Sequence, residues 1–275
     1  MKNFIDDEFV ILDVETTGLS AAGGDRIIEL AALKIKGLQT ATQFHSFINP
    51  EREISPEAFA VNGINAEMLA DAATAQEILP DFFEFLGEDI VVGHNIKFDL
   101  GFLLQEASRA RLSWGDNIPT ICTVKMARAL LPEIARYPLW LVAQTLGIET
   151  AQEHRALSDV HLTWAVFRRL LDRANRRDIT DSQMLVRLFD PQKKPDSKQE
   201  HEIKKSISVI EEAIEFKKTI LISYFSAAQG AVTFRKVNPQ KIVKEKGQMK
   251  LVGFCQLRGE ARSFRLDRIL RLTAE

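Results

Sequence analysis

Residues 10–19, VILDVETTGL, carry an apolar, strand-like run into Asp13 and Glu15 and then into a turn ending at Gly18. Side chains alternate faces along a strand, so Asp13 and Glu15, two apart, point the same way, while Val10 to Leu12 and Val14 supply a buried body. Two carboxylates held close repel, and at least one pKa rises unless a cation or a donor sits between them. An isolated Asp-x-Glu is equally readable as a solvated strand end, so the pair gains meaning only from further carboxylates.

Two later segments supply them. In DIVVGHNIKFDLGFLLQEASRARL (89–112), a short buried strand gives way at Gly93-His94-Asn95 to a helix whose Phe98, Phe102 and Leu103 can face a core. Asp99 falls in its first turn, where the helix dipole favours an ionised carboxylate; completing a helix start is its other reading. In EHRALSDVHLTWAVFRRLL (153–171), Val160, Trp164, Phe167 and Leu171 form one helical apolar face, and Asp159 lies near its start. His154 does not share that face and belongs on the preceding loop, either as a surface residue or as an imidazole able to reach a centre fixed by Asp159.

The rest of the chain sets the frame. With 275 residues, 45% hydrophobic and 27% charged, it can bury one or two cores. No segment reaches the ~18 apolar residues that span a bilayer, and the start MKNFIDDEF lacks a leader pattern, so a cytoplasmic protein is expected. Cys122 and Cys255 lack metal-ligand spacing and read as packing residues. The formal charge of −2 hides an asymmetry: residues 200–275 hold 15 Lys+Arg against 9 Asp+Glu, and residues 1–199 hold 21 against 29. Such asymmetry marks either a nucleic-acid-facing module or a solvated basic surface.

Polar DPQKKPDSKQEHEIKK (190–205) reads as a linker. Before it, strand-like runs (EFVILDV, IIELAALKI, ATQFHSFI, DIVVG) alternate with helical patterns at 66–86, 97–110, 120–131, 138–146 and 158–175, which predicts an α/β domain. After it, one helix (ISVIEEAIEFKK) precedes the short runs TILISYF, AVTFRKVNP, QKIVKEK, MKLVGFCQL and ARSFRLDRILRL, which predict a small β-rich domain.

Taken in order, DVETTGL, GHNIKFDLGFL and HRALSDV resemble the three motifs of the DEDDh exonucleases, the superfamily of proofreading exonucleases and RNase T-like enzymes. NPEREISPEAFAVNGINAEML (49–69) resembles that family's stretch ending in Gly-Ile-Thr, here Gly63-Ile64-Asn65. ICTVKMARALLP (121–132) resembles its Asp-Thr segment, with Cys122 where Asp is common. The resemblance implies an RNase H-like α/β fold with a mixed central sheet flanked by helices. It implies that Asp13, Glu15, Asp99 and Asp159 bind two divalent cations, Mg²⁺ or Mn²⁺, and that His154 is the general base. Hard oxygen ligands suit those ions better than zinc. It also implies substrate contacts at Thr16, Thr17, Leu19, Asn95, Phe98 and Phe102. Phe98 and Phe102 are equally readable as core, and Asn95 as a helix cap.

The tail resembles the WYL domain, a small Sm/SH3-like β-barrel module of bacterial regulators, through ISVIEEAIEFKKTILISYFS, FRKVNPQKIV and MKLVGFCQLRGEARSFRLDRI. Met249-Lys250-Leu251 stands where the family's Trp-Tyr-Leu would. The resemblance implies a basic pocket for nucleic acid or a nucleotide-like ligand at Tyr224, Arg235, Arg262, Arg265 and Arg268. Strand alternation need not put Arg262 and Arg265 on one face, and Arg268 with Asp267 is equally readable as a surface ion pair.

The expected organisation is an exonuclease domain over 1–189, a linker over 190–205 and a WYL-like domain over 206–275. The expected function is metal-dependent 3′-to-5′ removal of 5′-mononucleotides from single-stranded DNA or RNA with a free 3′ end. The alternatives are a non-catalytic nucleic-acid- or ligand-sensing regulator and a nuclease for very short oligonucleotides. No membrane partner is expected, and the sequence leaves room for a homodimer and for a repair or replication partner.

Overall fold

Strand β1 (Glu8–Thr16) is the spine of the first of two compact units. The computed structural model describes residues 4, 6–114, 118–149, 154–191, 197–227, 229–245 and 247–274, with backbone alone for 197–202. The units are Met1–Asn175 with Thr180–Gln192, and Arg176–Ile179 with Lys193–Glu275.

In the first unit β1 pairs antiparallel with β2 (Ile27–Lys36), which pairs with β3 (Gln39–Phe47). On its other side β1 runs parallel to β4 (Ile90–Gly93), which is followed by β5 (Thr120–Cys122), giving the mixed order β3-β2-β1-β4-β5. Helices α1 (Pro56–Asn62), α2 (Ala75–Leu86), α3 (Lys97–Arg109), α4 (Thr123–Leu130), α5 (Leu139–Thr145), α6 (Ala156–Asn175) and α7 (Ser182–Phe189) complete it.

The alternation of β1 decides where the carboxylates go. Val10, Leu12 and Val14 pack with Leu79 and Phe82 of α2 and Leu100 and Leu103 of α3. The other face carries Phe9, whose ring meets Phe167 of α6 edge-on at 5.2 Å, and then Ile11, Asp13 and Glu15. The apolar residues anchor α6 on that face, so its first turn lies beside the two carboxylates. The predicted helical face of Val160, Trp164, Phe167 and Leu171 is buried.

Two boundaries differ from expectation, and two helices are additional. The 66–86 pattern divides into a 3₁₀ turn (Glu67–Leu69) and α2, which starts after a capping box of Thr74 and Glu77. The first residues of the 120–131 pattern form β5. Helices α1 and α7 were not anticipated, because at seven and eight residues they give little periodicity. Their starts carry capping signals in Ser55, followed by Pro56, and in Asp181.

In the second unit α8 (Ser197–Glu215) begins inside the stretch expected to be linker. Ile203, Ile207, Ile210 and Ile214 give it a helical apolar face against the sheet. The strands are β6 (Ile220–Ser226), β7 (Ala231–Glu245), β8 (Gln248–Cys255), β9 (Glu260–Arg265) and β10 (Ile269–Ala274). AVTFRKVNP and QKIVKEK form one strand, β7, because Pro239 sits at a register shift where the ladder needs no donor. Gly253 lies opposite it, and a Cβ there would come within 2.6 Å of the Asn238 carbonyl, so only glycine lets the bend close. ARSFRLDRILRL, expected as one run, is cut by a 3₁₀ turn at Leu266–Arg268 into β9 and β10. These pair at opposite ends of the antiparallel order β10-β6-β7-β8-β9. Among the described residues β9 and β10 do not pair, so the hydrogen bonding is that of an open sheet where a closed barrel was expected. No helix of the described residues is long and apolar enough to cross a membrane.

Candidate active site

Asp13 and Glu15 at the end of β1 meet Asp159 in the first turn of α6, with one oxygen from each carboxylate within 4.8 Å of the others. Asp99, in the first turn of α3, comes from the opposite side of β1 and accepts from the Val14 N–H at 3.2 Å through Oδ1. Three elements distant in sequence thus bring four carboxylates to one end of the sheet.

Burial raises the carboxyl pKa of three of them, and neighbouring charges add to it at Asp13 and Glu15. Burial, followed by the charges of Asp99, Glu15, Asp159 and Glu29, pushes the Asp13 carboxyl well above the usual range. Burial and then Asp159 and Glu29 raise Glu15 to about 8, although Asn62 hydrogen-bonds to it. Burial raises Asp99 to about 8 against the backbone N–H groups that lower it. A cluster this short of positive charge, with only hard oxygen donors, fits divalent cations.

A fifth acid organises the α6 end. Glu29 of β2 stands opposite Glu15 in the register and is fully buried. It accepts from Arg155 Nε and an Arg155 terminal nitrogen, both at 3.1 Å, and from the Ala156 N–H at 3.1 Å, and it contacts His45 Nε2 at 2.8 Å. Burial raises its carboxyl, but the hydrogen bonds from Arg155, His45 and Ala156 together outweigh burial and hold it below the ordinary value. Glu29 therefore caps α6 beside Asp159 and pins the residue after His154. Glu29→Gln removes the buried charge that pairs with the Arg155 guanidinium. A loss of about 3 kcal/mol is expected, near the low end for a broken buried pair because Arg155 keeps some solvent access. Urea unfolding reads that loss, and kcat should fall more than KM rises.

His154 itself is exposed, with a left-handed φ of 51°, just before α6. A cavity of about 570 Å³ adjoins Glu15 and is lined by Thr16, Leu19, Val61, Asn62 and Phe98, among others. Leu19 projects from its rim with 87% of its surface exposed. The loop that carries Leu19 closes on Asp25, which accepts from the Ser20 N–H at 2.9 Å and pairs with Arg52. A Cβ on Gly18 would lie 2.5 Å from that carboxylate, which explains the glycine after the two threonines.

Three expected contacts fall elsewhere. Thr17 is fully buried, accepts from the Arg26 N–H at 3.0 Å and donates to Asp25, so it braces the loop and does not line the cavity. Phe102 is in the core behind Phe98, the ring centroids 4.9 Å apart, and only Phe98 reaches the cavity. Asn95 is exposed with φ 69°. The helix cap is Ile96, with no side-chain hydrogen bond, so the capping alternative for Asn95 does not hold. Asn62, Val61 and Glu29 were missed. Only Glu29 left a signal, as the single acid in the otherwise apolar run IIELAAL.

In the second unit the residues expected to form a basic pocket are tied to different neighbours. Tyr224 packs edge-on to Phe264 at 5.2 Å, and Arg235 is buried with Nε donating to Thr233 Oγ1 at 3.2 Å. Arg262 pairs with Glu260. Arg265, three residues on and hence on the other face of β9, takes Asp267, the partner expected of Arg268. Cys122 and Cys255 are buried and unbridged.

Comparison with known proteins places this geometry. An exonuclease family model matches residues 10–167, and the WYL domain model matches residues 205–274. The DNA polymerase III PolC-type protein of Oceanobacillus iheyensis is 41% identical over 180 residues, 66% of this chain and 12% of that protein. The chain therefore spans about an eighth of that relative's length. DNA polymerase III subunit epsilon of Aquifex aeolicus is 35% identical over 170 residues, 62% of this chain and 83% of that protein. Among solved structures, exonuclease X in complex with 5′ overhanging duplex DNA has 28% identity and a TM-score of 0.50, covering 64% of this chain and 97% of that one. E. coli exonuclease I in complex with a dA16 oligonucleotide has 18% identity and a TM-score of 0.58, covering 91% of this chain and 55% of that one, a likeness of fold.

Proposed function

The chain belongs to the exonuclease family, and we propose that it is a metal-dependent 3′-to-5′ exonuclease trimming single-stranded DNA or RNA to nucleoside 5′-monophosphates. The observation that carries this reading is the convergence of Asp13, Glu15 and Asp159, with Asp99 tied to the same strand through Val14. These four carboxylates would hold two divalent cations, Mg²⁺ or Mn²⁺. When bound, such a pair supplies Lewis acidity to the attacking and leaving oxygens of an in-line displacement.

The protein's own groups do the rest. His154 in its neutral form accepts a proton as water attacks the terminal phosphorus, the bond from phosphorus to the 3′ oxygen breaks, and that oxygen takes a proton from solvent. Its exposed position suits a base that must meet a substrate arriving from outside. The cavity beside Glu15 seats the terminal nucleotide, with Leu19, Val61 and Phe98 offering apolar contact to the base and Thr16 and Asn62 polar contact near the sugar. The second unit, an antiparallel sheet packed against α8, binds nucleic acid, a reading supported by its basic strands.

Chelation followed by metal return tests the metal requirement. Chain stripped of divalent ions should release no mononucleotide, and Mg²⁺ or Mn²⁺ should restore release. Undiminished hydrolysis in excess chelator would remove the two-metal reading.

A further inference from the structure

Residues 220–274 hold 11 Lys+Arg and only 3 Asp+Glu. Each of the three acids is engaged by a neighbour, Glu245 with Lys250, Glu260 with Arg262 and Asp267 with Arg265, which leaves the sheet a large cationic excess. On β7, Arg235 and Val237 turn inward and are buried, with Val237 in the cluster under α8. Alternation then puts Phe234, Lys236 and Asn238 on the outer face. The register sets Ser223 of β6 beside Phe234 and Arg271 of β10 beside Ser223, while Phe254 of β8 stands beside Asn238. Phe234 is 58% exposed and Phe254 39% exposed.

An outer sheet face bearing two open phenyl rings flanked by Lys236 and Arg271 suits a polyanion that also presents flat apolar surfaces. Single-stranded nucleic acid has both: its phosphates meet the cations and its unpaired bases stack on the rings, whereas a duplex hides its base faces. The two rings stand about 13 Å apart along the strand direction, room for separate bases. We propose that this outer face, carrying Phe234, Lys236, Phe254 and Arg271, is a stacking platform for single-stranded nucleic acid. It lies opposite the inward side of Tyr224 and Arg235. The proposal deepens the reading of the chain as one that handles nucleic acid and rests on it.

The test uses the full chain carrying Asp13→Asn, in chelator, so that binding is read without turnover. Anisotropy of dye-labelled oligothymidylate gives the dissociation constant. Phe234→Ala and Phe254→Ala should each weaken binding roughly 5- to 100-fold, the effect of losing one base-stacking ring. Lys236→Ala should reduce the salt slope by about 0.7. Phe216→Ala, which removes an equally exposed ring outside the sheet, should change nothing. Unaltered affinity in the Phe234/Phe254 double variant overturns the proposal, as does a chain that binds polyglutamate but not the oligonucleotide, the mark of an acidic protein partner. Turnover by the unsubstituted chain is measured separately. A strand bound but never cleaved would sink the exonuclease reading alone, and cleavage with no effect of the two phenylalanines would sink the platform alone.

Discussion

Asp13→Asn is expected to lower mononucleotide release by about 10³-fold or more, since metal clamping supplies several kcal/mol and each 1.36 kcal/mol is tenfold in rate. The same change should make the chelated protein more stable. Asp13 is repelled by Asp99, Glu15 and Asp159, and asparagine keeps its shape without its charge. The pH dependence follows with a defined sign. Glu15 and Asp99 have folded pKa values of about 8, above their unfolded values. The stability they contribute is complete below their unfolded range and lost as pH rises through about 8. Chelated protein should therefore lose melting temperature between pH 5 and 8, and Mn²⁺ should flatten that slope by neutralising the cluster. Differential scanning calorimetry at several pH values reads both effects. A variant inactive because it is unfolded would show the opposite shift in stability.

His154→Ala is the second large effect. A positioned base contributes ~10²- to 10⁴-fold, so kcat should fall by that amount with KM nearly unchanged. Because His154 is exposed and in none of the described core clusters, its removal should leave the unfolding free energy within about 0.5 kcal/mol of the parent, as for ordinary surface changes. A fall in kcat accompanied by a matching loss of stability would instead assign His154 a structural part in the start of α6.

The contrast between His154 and Glu29 shows what a sequence can and cannot convey here. The positions of Asp13, Glu15, Asp99, His154 and Asp159 were legible because each sits at a strand end or helix start whose pattern can be read locally. Glu29 was not, since its role depends on Arg155 and His45, which only the folded sheet brings to it. Phe98 and Phe102 form a similar case: four apart on one helix, they looked equivalent, yet the cavity takes one and the core the other. In the second unit the strands were visible, but the turn at Leu266–Arg268 and the continuity of β7 through Pro239 were not. Both are set by pairing partners, not by local propensity. That is also why the arginines grouped from sequence as one pocket divide between two faces.

The most direct test of the account is the order of product release from one single strand labelled at its 3′ end or at its 5′ end, followed in time with Mg²⁺ or Mn²⁺. The account predicts that the 3′ label appears at once as a mononucleotide, while the 5′ label remains on a ladder that shortens step by step, and that Asp13→Asn yields neither. Early release of a 5′-terminal mononucleotide, internal fragments without a ladder, or equal release by Asp13→Asn would contradict it.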